Sequence, residues 1–518
     1  MSELDVNADA APWWKTAVTY QIYPRSFCDT TGNGVGDLEG VIAHLDHLEW
    51  LGIGAIWLSP VFSSPMVDHG YDVSDYCDID PLFGDLSTMD RLITEAHERD
   101  IRVILDWVPN HSSDQHPWFL ESRSSRDNPK RDWYIWRDGE PTTPPNNWQA
   151  EFPEGPAWRW DEHTAAWYLH MFTPEQPDLN WANPEVRAAM HDTLRFWLDR
   201  GVDGFRMDVV HAIGKPDGLP DREAGPGRPL TEFDNAITHD YLRGIRGVLD
   251  EYDGDRMSIG EVYILDPRKV ATYYGVQDEL HLSFNFLPLW CEWEPVVWRR
   301  QIRDAAAAFD PIDAWTTWVL SNHDVPRHRT RYGGDERIAR AAAVLLLTLR
   351  GAPYMYAGEE LGLLDAAVPR EQQQDPAGVR DGCRAPIPWA GGDAHGWIRP
   401  DNWLPFPPES DARNAETQRG DEGSIANLYR SIISARSRST ALSTGRLELL
   451  DRSDSILAFL RESGDDRRAV LINMGEEGVT DVALEGDWAV EVRSDGDRTS
   501  SWAGEVPAHC AIVLRPAG

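Results

Sequence analysis

Eight short runs rich in β-branched, aromatic and aliphatic residues recur along the chain, at 18–23, 55–59, 103–108, 204–209, 257–263, 282–286, 315–321 and 354–358. Most of them are separated by stretches in which apolar residues recur every three or four positions, as in 89–99, 186–200, 338–350 and 425–438. The first pattern predicts buried strands and the second amphipathic helices. Strand and helix in repeated alternation predict an α/β protein built as a (β/α)8 barrel.

Two regions break the alternation. Residues 112–182 are rich in Trp, Pro, Asp and Asn without a long period, at the point where the third strand should pass to its helix. They are expected to form an inserted subdomain overhanging the site, dividing the barrel into residues 1–111 and 183–441. Residues 442–518 carry short strand-like runs at 456–460, 469–472 and 511–514, which predict a C-terminal antiparallel β-sandwich. A polar, proline-containing connection at 401–423 precedes the last barrel helix.

Charge narrows the partners. Eighty-six acidic against forty-nine basic residues leave a net charge of −37, which repels nucleic acid and anionic membrane and suits a small neutral ligand. The five cysteines, Cys28, Cys77, Cys291, Cys383 and Cys510, are odd in number and widely spaced, so reduced thiols and a cytoplasmic location are expected. The apolar run 341–349 is too short to span a bilayer, and the N-terminal stretch lacks the apolar core of a signal peptide. A monomer or small homo-oligomer with no nucleic-acid or membrane partner fits these features.

Three of the strand-like runs end in an acid: Gly204-Phe205-Arg206-Met207-Asp208, Ile259-Gly260-Glu261 and Leu320-Ser321-Asn322-His323-Asp324. A barrel gathers the ends of its strands on one face. Acetal cleavage needs one carboxylic acid to protonate the leaving oxygen and a second carboxylate to attack the anomeric carbon or activate water. A single Asp or Glu is most often a solvated surface group, so the joint pattern carries the reading.

Asp106-Trp-Val-Pro-Asn110-His111 and the three acid-ended runs resemble the signature regions of the α-amylase family, glycoside hydrolase family thirteen. Gln176-Pro-Asp-Leu-Asn180 is similar to a fifth region in the form typical of its oligo-1,6-glucosidase and α-glucosidase branch. The resemblance implies Asp208 as nucleophile, Glu261 as general acid/base and Asp324 as a stabiliser that grips sugar hydroxyls. It further implies Asp68 binding the non-reducing end with Arg384 as its partner, Tyr71 stacking beneath the ring, and His111 and His323 donating to hydroxyls. Phe152 and Phe172 match aromatic walls, and Val209 borders the leaving sugar. Arg206, two residues before Asp208 and on the same strand face, is expected to keep the nucleophile ionised. Glu261 has no cation in its own motif, so its pKa is expected to rise.

Asp29-Thr-Thr31-Gly-Asn33-Gly-Val35-Gly-Asp37 places oxygen ligands at alternate positions around a glycine turn. The resemblance implies structural Ca²⁺ held by Asp29, Thr31, Asn33, the Val35 carbonyl and Asp37, against a metal-free turn as the alternative, and it implies no organic cofactor. His44 and His47 with Asp46 have helical spacing and are expected on a solvated face. The implied activity is that of a retaining, exo-acting α-glucosidase on maltose- or isomaltose-type substrates. A glucosyl transferase or isomerase on the same site is the rival enzyme, and a non-catalytic barrel-shaped binding relative is the rival from another class. Many amylases follow the nucleophile with a Lys-His pair; Asp208-Val209-Val210-His211-Ala212 here speaks against endo attack.

Overall fold

The computed structural model describes residues 11–223, 232–451 and 455–517. The first ten residues, and 224–231 of the loop that follows the fourth strand run, lie outside the described residues.

Eight parallel strands form the barrel: β1 Thr19–Ile22, β2 Ala55–Leu58, β3 Arg102–Trp107, β4 Gly204–Met207, β5 Met257–Gly260, β6 Leu282–Ser283, β7 Thr317–Val319 and β8 Ala352–Tyr356. They lie side by side in the order β6-β5-β4-β3-β2-β1-β8-β7. β6 is shorter than the run that predicts it. Between β6 and β7 the ladder gives way to one hydroxyl: Thr317 Oγ1 donates to the Ser283 carbonyl at 3.0 Å and accepts from the Asn285 amide at 3.0 Å. A side chain thus satisfies backbone groups that a missing rung would leave bare.

Successive side chains on a strand point to opposite faces, and this alternation decides what lines the barrel. Trp57, Ile104, Met257, Ile259, Leu282 and Tyr354 pack together inside it. Ile56, Leu58, Val103, Leu105, Phe205 and Met207 face outward and join the larger core with the helices. The inward phase of β3 and β4 therefore carries Asp106 and Arg206, which are direct partners across the ladder.

The surrounding helices begin at side-chain caps that satisfy free amides. Asp85 accepts from Thr88 N at Leu86–His97, Asn183 from Glu185 N at Pro184–Asp199, and Ser424 from Asn427 N at Ile425–Arg438. The apolar run near residue 345 belongs to the helix Glu336–Thr348, in which every residue from Ala339 to Thr348 is buried. It is covered on all sides because it lies between the barrel, the helix Ile425–Arg438 and the C-terminal sheet.

That sheet has five antiparallel strands, Arg446–Leu450, Ile456–Ser463, Asp466–Asn473, Trp488–Arg493 and Ala511–Pro516. Leu457, Phe459, Val470 and Val513 point to the barrel. Ile456, Leu471 and Ile512 on the other face pack beneath Val482, Trp488 and Val506, where bridges such as Val479 with Val506 supply the second layer. The inserted region folds around a three-stranded sheet, Trp136–Arg137, Trp158–Asp161 and Ala166–Leu169, with its own core of Ile135, Trp148, Trp158, Trp167 and Met171. A backbone bridge from His111 to Asp178 ties it to the segment after β3, and one from Tyr134 to Leu179 closes it on itself.

One helical-face expectation is corrected. Asp46 is exposed, but His47 is buried at 1 % exposure with Nε2 3.4 Å from Glu360 Oε1. In the helix Leu45–Leu51 its position is shared with Leu48 and Leu51, which face the core.

Candidate active site

Arg206 is the hub of the site. Its Nη1 donates to Asp106 Oδ1 at 2.8 Å and to Asp208 Oδ1 at 2.7 Å, while its Nη2 donates to Glu261 Oε2. Parallel pairing of β3, β4 and β5 explains the convergence: the ladder sets Asp106 beside Arg206, Asp208 follows on the same inward phase of β4, and Glu261 follows β5. The premise that Glu261 stands apart from any cation is therefore corrected. The nearest cation lies 55 residues away in sequence and reaches it from the neighbouring strand.

Asp208 and Glu261 each bond to the same guanidinium, which brings their carboxyls close together. Burial pushes Asp208 well above the usual carboxylate range, Arg206 pulls it down, and the Glu261 and Asp106 carboxylates push it up again. Arg206 opposes that rise without cancelling it, so the Asp208 carboxyl stays above its usual range, which departs from the expectation that Arg206 by itself keeps the nucleophile ionised. Asp106, fully covered, is raised to about 6 by burial against the pull of Arg206.

A second set of contacts holds the far wall. Gln21 Nε2 donates to His323 Nδ1 at 2.7 Å, so the His323 proton sits on Nε2, 2.7 Å from the Tyr71 hydroxyl, which donates in turn to Asp106 Oδ2 at 3.1 Å. Burial brings His323 down to about 3, leaving it neutral near pH 7. Desolvation acts to raise Asp324, yet His323, Arg380 and Arg384 hold its carboxyl well below the usual range. Since His323 is neutral, the two arginines carry that effect.

These groups line a cavity of about 420 Å³. Asp68, Tyr71, His111, Phe152, Phe172, Asp208, Val209, Glu261, His323 and Asp324 all face it, so the structure brings these sequence-identified positions together, with Arg206 beneath them. Its inner end is closed by Asp68 and Arg380. The partner expected for Asp68 is corrected here: Arg380 Nη2, and not Arg384, donates to Asp68 Oδ1, at 3.2 Å. Arg380 also donates to Asp324 Oδ1 at 3.1 Å and is oriented by Asp375 through its Nε at 2.8 Å. Arg384 lies behind the lining, with Nε on the His323 carbonyl at 2.7 Å and Nη2 on Asp324 Oδ1 at 3.0 Å. Gln176 completes the grip, donating to Asp68 Oδ2 at 3.2 Å. Burial raises Asp68 to about 6 despite both arginines.

The cavity is lined further by Phe233, Tyr263, Phe286, Leu289 and Trp290, with Tyr263 and Trp290 exposed at its mouth; Tyr263 stands two residues after Glu261 in its motif, and the sequence assigns none of the five a role. Val209, directly after Asp208, has φ 35° and ψ 40°. A β-branched residue is strained in this left-handed region and stays there only if its surroundings hold it.

The glycine turn at 29–37 is closed by its own hydrogen bonds. Asp29 Oδ1 accepts from the amides of Thr31 and Gly32, Asp29 Oδ2 from Gly34, and Asn33 Oδ1 from Val35. Asp37 accepts from Thr30 N and caps the helix Leu38–Ile42 through Gly40 N. The side-chain oxygens of Asp29, Asn33 and Asp37 are thus turned onto amides of the turn itself.

A family model described as the catalytic domain of alpha amylase matches residues 21–445. Over 503 residues the chain is 40% identical to a protein of Rhizobium meliloti (strain 1021) named probable alpha-glucosidase, with 90% of each chain covered. An oligo-1,6-glucosidase of Parageobacillus thermoglucosidasius is 36% identical over 515 residues, covering 90% of this chain and 91% of that one. A solved alpha-glucosyl transfer enzyme, XgtA, matches with TM-score 0.91 and 38% identity over 98% of this chain and 100% of its own.

Proposed function

This chain belongs to the α-amylase family, and from that membership and the shape of its pocket we propose a retaining, exo-acting α-glucosidase that releases glucose from short α-glucosides. The observation that carries the reading is one guanidinium, Arg206, touching both Asp208 and Glu261 at the floor of a cavity whose inner end is closed by Asp68 and Arg380. Two carboxyls held this near each other suit direct attack by one of them, whereas an inverting enzyme separates them to admit a water.

In the first step Asp208 attacks the anomeric carbon as the bond to the leaving oxygen breaks, and Glu261 gives that oxygen its proton. In the second, Glu261 takes a proton from water, the water oxygen bonds to the anomeric carbon, and Asp208 departs. Two inversions return the starting configuration. Asp324, kept ionised by Arg380 and Arg384, faces the sugar as positive charge develops on it. The closed inner end leaves no path for a chain extending past the non-reducing sugar, which favours exo attack.

Glucosyl transfer is the second reading, supported by the likeness to XgtA: a sugar hydroxyl then takes the place of water in the second step. A purely binding role accords poorly with three acids assembled in catalytic geometry. Five free cysteines accord with a reducing, cytoplasmic setting. Among the described residues no helix is long and apolar enough to cross a membrane.

Hydrolysis of a chromogenic α-glucoside, with proton NMR of the first-formed anomer and labelling by a mechanism-based fluoroglucoside, tests the proposal. Retention and a label on the Asp208 peptide are expected, and Asp208→Asn should abolish turnover. Inversion, or a label on another peptide, refutes it.

A further inference from the structure

Lys215 belongs to none of the motifs, yet its side chain is only 7% exposed, on a turn that leads away from the nucleophile. Its Nζ donates to the Ala212 carbonyl at 2.6 Å and to Asn110 Oδ1 at 3.0 Å, and lies 2.8 Å from the fully buried Asp178 Oδ2. These three partners come from different parts of the molecule. Ala212 ends the turn Val210–Ala212 after Val209, Asn110 follows β3, and Asp178 belongs to the inserted subdomain. A buried ammonium is kept only where its donors are matched, and here each match fastens a different segment behind the cavity lining.

The turn so held carries the strained left-handed Val209 and the cavity-lining His211. On its other side His211 Nδ1 donates to the Glu261 carbonyl at 3.2 Å. That bond ties the turn to β5, and Lys215 ties it to β3 and the inserted subdomain. Val209 is bonded directly through its amide to Glu261 Oε2 at 3.3 Å and through its carbonyl to the Ala212 amide at 2.8 Å. Lys215 anchors the Ala212 end, and without it that end of the turn, and with it the Val209 side chain, could shift at the place where the leaving group departs.

We infer that Lys215 is a positioning residue for leaving-group selection: by gripping Ala212, Asn110 and Asp178 together it holds Val209 and His211 in the conformation that shapes the outer side of the cavity. The inference rests on the α-glucosidase reading. Lys215 touches no reacting atom, so its removal should alter which leaving group is accepted more than the chemistry at the anomeric carbon.

Lys215→Met alone strands the buried Asp178 carboxylate and can unfold the protein, so the test uses Lys215→Met combined with Asp178→Asn, with Asp178→Asn alone as control. The asparagine keeps an acceptor for the Met171 amide that Asp178 Oδ1 now receives at 2.9 Å. Three substrates are compared: maltose, isomaltose, and α-glucosyl fluoride, whose leaving group is too small to sense the outer wall. The double variant should shift the ratio of kcat/KM for maltose to that for isomaltose by about fivefold or more, within the range a pocket's shape can discriminate. Turnover of the fluoride should stay within about threefold of the parent, and the control should keep the parent ratio within about twofold, since both other grips of Lys215 survive. An unchanged ratio in a folded double variant overturns the inference alone, as does a parallel loss on all three substrates. A parent inactive on all three overturns the α-glucosidase reading and this inference with it.

Discussion

Asp68 is expected to weaken the fold in order to bind substrate, and replacing it should separate the two effects. Its carboxyl is raised from the ordinary 3.8 to about 6, first by burial and against the pull of Arg380 and Arg384. A raised folded-state pKa means that the native state favours the protonated form. The stability tied to this group is therefore fully present below about pH 3.8 and is lost as pH rises through about 6. At about 1.4 kcal/mol per pH unit, the raised pKa costs the native state about 3 kcal/mol at pH 8, where the buried carboxyl is ionised, and roughly half that at pH 5, where it must take up a proton. Asp68→Asn resembles the protonated side chain in shape and charge. It should stabilise the protein by about 3 kcal/mol at pH 8, with the gain shrinking to roughly half that at pH 5.

Catalysis should move the other way. A hydrogen bond to a charged group is worth about 1.5–3 kcal/mol, so losing one such grip on the sugar should lower kcat/KM by roughly 10- to 150-fold. Urea denaturation of parent and variant at both pH values, with kcat/KM on maltose at pH 7, measures both quantities. A variant no more stable than the parent at pH 8, or equally stabilised at pH 5 and pH 8, would show that burial of an ionised Asp68 is not what the native state endures. Full activity would remove Asp68 from the substrate grip.

Glu261→Gln should slow maltose hydrolysis far more than that of an activated aryl glucoside, because only the poor leaving group needs its oxygen protonated; equal losses measured on both would count against the acid role. Arg380→Met should raise KM for maltose by about tenfold and shift the acid limb of kcat/KM upward from about pH 6, since a carboxylate that loses a cation holds its proton more tightly. Arg384→Met should leave that limb closer to the parent, as Arg380 is the group in contact with Asp68; a full pH–rate profile of each variant decides. EDTA should leave the melting temperature unchanged because the turn at 29–37 is closed by its own amides, and a drop reversed by Ca²⁺ would show an ion bound to the native state.

What could be read from the chain alone follows from how far each determinant reaches. The barrel strands are local runs of apolar residues, and period two along each run already dictates that Arg206 and Asp208 share a face. The three acids are legible for the same reason, since each ends a run. Arg206 holding Glu261 is not local: it depends on β4 lying beside β5 in a particular register, and a motif around residue 261 contains no trace of it. The choice between Arg380 and Arg384 is subtler. Both sit in one short segment, and the 3₁₀ turn Asp381–Arg384 points the first at Asp68 and the second at the back of Asp324. Residue type alone is blind to that difference in direction, although Asp375, five residues before Arg380 and bonded to its Nε, is a local orienting partner. Val209 is the furthest from sequence, because valine is among the residues least suited to the left-handed region, and propensity argues against the conformation observed. A site can hold such a residue there only by contacts that converge from elsewhere. Glu261 supplies one such contact, taking the Val209 amide at 3.3 Å, and the buried grip of Lys215 on Ala212, Asn110 and Asp178 anchors the residue whose amide bonds the Val209 carbonyl at 2.8 Å.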